Sequence, residues 1–194
     1  MKVQIEKVYA MPASADLSWQ FLQDVAAVAA CMPGAKITER LDNTHYKGTV
    51  TVKVGPATMS FRGDIEVREM DAASRTLRLI GKGSDTTGTS GASIDLTARV
   101  EAAEGGLSTL VGKSEASVSG KAAAFGGRMM TSVADQVLKQ FAANFAAQLE
   151  SLKAPQAGAA PVAWPPAQRE LNGLALFWAI LKDWIRGLFS KQQG

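Results

Sequence analysis

Residues 122–152 read AAAFGGRMMTSVADQVLKQFAANFAAQLESL, and their apolar members decide the fold class. Met130, Val133, Val137, Phe141, Phe145 and Leu149 recur every three or four positions, with Ser132, Asp135, Gln136, Lys139 and Asn144 elsewhere. That period predicts one long amphipathic helix. At 1.5 Å per residue it would extend ~40 Å, enough to cross a strongly curved sheet from end to end.

Upstream the period drops to two. Val50, Val52 and Val54 alternate with Thr49, Thr51 and Lys53, and Phe61, Gly63, Ile65 and Val67 alternate with Arg62, Asp64, Glu66 and Arg68. The same pattern returns at Leu77 and Leu79 and again at Ile94, Leu96, Ala98 and Val100. Such runs are antiparallel strands with one wet face. Asp42-Asn43, Gly55-Pro56 and Gly105-Gly106 separate them as turns. With further strands at 3–9, 36–41 and 108–118, about seven are expected. Two short helices are expected at 14–21 and 23–30, with Ser14 and Asp16 as N-cap candidates and Pro33-Gly34 closing the second. The fold class is therefore α+β: strand, two short helices, six strands, long helix.

Composition removes several functions. The 194 residues carry Lys+Arg 21 against Asp+Glu 18, too balanced and too dispersed to indicate nucleic acid. One cysteine, Cys31, excludes an internal disulfide and a multi-cysteine zinc site; one histidine, His45, excludes clustered imidazoles. No metal site is expected. Cys31 reads as a buried structural thiol and His45 as an exposed turn residue. Gly81-Lys82-Gly83-Ser84 lacks the spacer of a phosphate loop. Gly112, Gly120, Gly126 and Gly127 read as turn glycines before the long helix. The carboxylates are scattered, and no pair stands out as an acid/base couple. The N-terminal alternation lacks the apolar run of a secretory signal, so a cytoplasmic location is expected.

The element order resembles the START-like helix-grip fold, in which a curved antiparallel sheet wraps the last helix and leaves an apolar cavity. Cys31-Met32-Pro33-Gly34-Ala35, Val52-Lys53-Val54-Gly55-Pro56, Phe61-Arg62-Gly63, Gly81-Lys82-Gly83 and the stretch around Phe125 resemble the G-subunit family of carbon monoxide dehydrogenase. The resemblance covers about residues 1–150. It implies a non-catalytic adaptor that recruits molybdenum-dependent carbon monoxide dehydrogenase to the cytoplasmic membrane face. A START-like cavity beside a bilayer would suit a respiratory quinone, menaquinone or ubiquinone, as a carried and not covalently bound ligand. Candidate lining residues are Met32, Val54, Met59, Phe61, Phe125, Met129, Met130, Val133 and Val137. The alternative is a START-like cyclase or hydrolase acting on an apolar substrate.

Beyond the body (1–153), four of the seven prolines and no charge fall in 154–168, which reads as a flexible linker. Residues 169–194 then read as a separate amphipathic helix. Leu174, Phe177, Trp178, Leu181, Trp184, Ile185, Leu188 and Phe189 share one arc, and Lys182 and Arg186 lie opposite. Its charge-free stretch is about half of the ~20 residues a membrane span needs, so the helix is expected to lie on an anionic membrane surface. A partner groove and packing on the body are the other readings.

Overall fold

Period two becomes seven antiparallel strands: β1 (Lys2–Met11), β2 (Ala35–Arg40), β3 (His45–Val54), β4 (Ala57–Asp71), β5 (Thr76–Asp85), β6 (Ser90–Ala102) and β7 (Ser108–Gly120). This computed structural model describes residues 1–153; the expected linker at 154–168 and helix at 169–194, with all the expected membrane-facing residues, lie outside them. The strands form one sheet in the order β1-β7-β6-β5-β4-β3-β2, curved but not closed, so β1 and β2 are its edges. Between those two strands come α1 (Ala15–Leu22) and α2 (Val25–Cys31), and the chain then ends its sheet with α3 (Gly127–Lys153). The expected turns at Asp42-Asn43, Gly55-Pro56 and Gly105-Gly106 all join consecutive strands.

Local chemistry fixes the helix ends. Ser14 Oγ accepts the Leu17 N–H at 3.3 Å and caps α1. Asp16, the other N-cap candidate, sits inside the first turn of α1, and α2 is capped by Asp24, which accepts the Ala27 N–H at 3.0 Å. The long helix also starts later than its period suggests. Lys121–Phe125 form a 3-10 turn, pinned where Ser90 Oγ accepts the Ala122 N–H at 3.0 Å. Gly126 then takes φ +79°, a left-handed conformation that interrupts the helix before Gly127.

The core lies at one end of the sheet. Val67, Leu77, Val100 and Leu110 from its inner face meet Trp19, Phe21 and Leu22 of α1 and Phe145 and Leu149 of α3. Phe21 and Phe145 pack edge to face with ring centres 4.8 Å apart. Cross-links hold the layers together: Ser18 and Ser108 share a buried hydrogen bond of 2.8 Å, and Asn144 Nδ2 donates to the Cys31 carbonyl at 2.8 Å.

Candidate functional site

The inner face of the sheet loses bulk along the same strands that build the core. In register across β3, β4, β5 and β6 stand Gly48, Gly63, Gly83 and Ala92. A second row carries Ile65, Gly81, Ile94 and Ala116. With α2 and α3 held above by the packed end, this deficit leaves a cavity of about 460 Å³ with an overwhelmingly apolar wall. The volume lies in the range of small-molecule pockets, ~300–1,000 Å³. Leu22, Val25, Val28 and Met32 close it from α1, α2 and the loop after them; Leu138 and Phe141 close it from α3. Close approach also demands glycine in the floor, since a Cβ on Gly63 would collide with the Lys82 carbonyl oxygen.

One polar pair enters this wall. Lys7 stands on β1 between Ile5 and Tyr9, which also line the cavity, and faces α3. Its Nζ is 2.9 Å from Asp135 Oδ1; the side chains remain 37% and 42% exposed, which places the pair at the cavity mouth. Asp135 Oδ1 is itself buried and satisfies no hydrogen-bond geometry, so the contact is held by charge. Contact with the Asp135 carboxylate holds the Lys7 ammonium above the ordinary lysine range, and burial pushes the Tyr9 phenol up. Residue patterning alone identified no such pair. The signal was present, however: in the run Val3, Ile5, Lys7, Tyr9 the lysine occupies an inward position.

Of the expected lining residues, Met32 and Phe61 are in the wall. Val54 is buried at the end of β3, and Met59 is half-buried on the inner face of β4, both beyond it. Phe125 lies half-buried in the 3-10 turn, and Met129 is 40% exposed beside Gly55. Met130, Val133 and Val137 are half-buried on α3 but do not reach the cavity. Helix geometry explains the difference. Each four-residue step advances ~40° around the axis, so a stripe from Val133 to Leu149 spirals from a flank into the core. The wall takes Leu138 and Phe141 instead.

Gly112, expected in a turn, lies inside β7 and lines the cavity. A Cβ there would meet no atom within 4 Å. Gly81-Lys82-Gly83-Ser84 lies inside β5, so no phosphate-binding loop exists there. Cys31 is buried, and burial pushes its thiol pKa up, away from an activated thiolate. His45 is exposed at the start of β3, with Nδ1 2.9 Å from Asp42. Among the described residues no three His, Cys, Asp or Glu side chains are grouped to hold a metal.

The geometry is that of a hydrophobic-ligand-binding site, and the comparisons agree with it. Residues 9–150 match the CoxG family, the G subunit of carbon monoxide dehydrogenase, and the chain belongs to that family. Its fold is shared with a conserved protein from Geobacillus kaustophilus, at TM-score 0.69 and 19% identity over 77% of this chain and 96% of that one. The ZhuI aromatase/cyclase from Streptomyces sp. R1128 aligns at TM-score 0.59 and 16% identity, over 82% of this chain and 100% of its own. A START superfamily protein from Mycobacterium smegmatis aligns at TM-score 0.56 and 15% identity, over 77% and 98%. At these identities the three show the START-like fold alone. No curated protein matches the chain.

Proposed function

We propose that this CoxG family member is a non-catalytic membrane adaptor that carries a respiratory quinone. The observation that carries this reading is the 460 Å³ apolar cavity, closed by α2 and α3, with the Lys7–Asp135 ion pair beside it. A prenylated quinone is rejected by water at ~0.8 kcal/mol per buried CH₂, so a protein that moves one must wrap its apolar part. The family description supports carbon monoxide dehydrogenase as the partner, in this reading the molybdenum-dependent enzyme. The sequence of 169–194, with Trp178, Trp184 and Phe189 opposite Lys182 and Arg186, supports docking at the cytoplasmic membrane face. Menaquinone and ubiquinone both suit the cavity chemistry.

Organic extraction of detergent-free protein followed by mass spectrometry should yield a quinone; a clean extract rejects carriage. Deleting residues 170–194 should release the protein from anionic liposomes, and unchanged sedimentation rejects the anchor. The competing reading, an enzyme acting on an apolar substrate, has one observation in its favour: Lys7, Tyr9 and Asp135 adjoin the cavity on one side. Turnover of an apolar ester or ketide by the isolated protein, lost on Lys7→Met, would establish it.

A further inference from the structure

We propose that Lys7 is the polar anchor of the cavity, donating a hydrogen bond to an uncharged carbonyl oxygen at the head of an otherwise apolar ligand. The inference rests on the carrier reading and specifies which ligand heads the site accepts.

Four other charged residues touch the cavity: Lys36, Arg62, Asp64 and Lys82. All four are exposed and occupy outward positions of their strands. Lys7 alone approaches from the inner face, half-buried, in the run Val3, Ile5, Lys7, Tyr9. Directly across on β7 is Gly112, where space for a side chain is empty, so the lysine stem borders open volume. A long aliphatic stem along apolar wall with its ammonium at the mouth places a donor where a ligand head would arrive.

Asp135 selects the charge of that head. An ammonium has three donors, and the carboxylate at 2.9 Å holds it by charge without hydrogen-bond geometry, which leaves donors for a ligand. Because the pair is already neutral, a carboxylate head would gain the lysine but face Asp135. A cationic head would face Lys7 in turn. A ketone, quinone or ester carbonyl accepts a remaining donor and meets neither penalty.

The test uses the full chain, stripped of lipid and titrated separately with decylubiquinone, palmitate and pyrene, a hydrocarbon without an acceptor. The wild type should bind decylubiquinone more tightly than palmitate. Lys7→Met should weaken decylubiquinone about tenfold, the scale of one charge-assisted hydrogen bond, and leave pyrene unchanged. Asp135→Asn should keep decylubiquinone and tighten palmitate. Because Lys7→Met strands a carboxylate, the Lys7→Met/Asp135→Asn double variant is measured beside it and should show the same loss. Undiminished decylubiquinone binding by both Lys7→Met variants, or a wild-type preference for palmitate, overturns the anchor. A wild type that binds none of the three probes overturns the carrier reading itself, and the anchor with it.

Discussion

Where β4 to β7 meet α1 and the last turns of α3, the inner face carries Val67 and Val100 and is packed shut, with buried Leu77 and Leu110 forming the boundary with the cavity. Further along the same four strands it carries Gly63, Gly81, Ala92 and Gly112 and stands open. Strand pairing runs through both regions, broken only by a register shift between Val67 and Glu69 where β4 meets β5. The cavity is therefore made by withholding side-chain volume in register, while the packed end supplies the stability that holds the open end in shape. Interiors normally fill to crystal-like density, so a hollow of this size is an uncompensated loss of contact unless a ligand occupies it.

The sharpest way to break that comparison is to empty the packed end. Phe145 is fully buried, touches Phe21 and Phe141, and anchors α3 to α1. Phe145→Ala should cost about 3–5 kcal/mol, read as a fall in the denaturation midpoint. Phe141, one turn earlier, is half-buried and forms cavity wall. Phe141→Ala should cost less than half as much, because it enlarges a space that already exists. Equal losses would mean that the two ends are one core.

The reverse experiment fills the open end. Gly112→Leu adds a side chain where nothing lies within 4 Å, on a strand whose backbone accepts any residue. Ligand affinity should fall at least tenfold while the melting temperature holds or rises, because glycine weakens a strand interior. Binding equal to wild type would place the ligand outside this cavity.

How much of this was legible in the sequence follows from the same contrast. Alternation and helical period give the seven strands, the two short helices and α3, since period reports which face is apolar. Period does not report depth. Val54 and Phe61 share a pattern, yet Val54 is buried at a strand end and Phe61 faces the hollow. The stripe on α3 leaves the cavity wall for a geometric reason, its four-residue steps drifting from flank to core between Val133 and Phe145. The glycines that build the floor look like breaks in a strand when read singly. Only the register, Gly48 beside Gly63 beside Gly83, shows them to be one row. Lys7 and Asp135 are 128 residues apart, and nothing local joins them.

The smallest expected effect compares the hairpin turns at the two ends of β5. At the packed end Asp71 accepts from Ser74 Oγ and the Ala73 N–H; at the open end Asp85 accepts from Thr87 Oγ1 and the Ser90 N–H. These bonds hold both carboxyls below the ordinary value of 3.8. A carboxyl depressed on folding contributes stability above its unfolded pKa, and that contribution is lost as pH falls through the folded value. Acid should therefore loosen both turns below about pH 4. The consequences should differ. Loosening at Asp71 leaves a turn backed by the packed core. Loosening at Asp85 frees Ser90, whose hydroxyl holds the Ala122 N–H and with it the 3-10 turn before α3. Protection against hydrogen exchange at residues 121–126, corrected for the intrinsic pH dependence of exchange, should fall as pH drops below about 4, and Asp85→Asn should show the low protection at every pH, while Asp71→Asn leaves that segment unchanged. Matching responses in the two variants would show that the open end is tied no differently from the packed one.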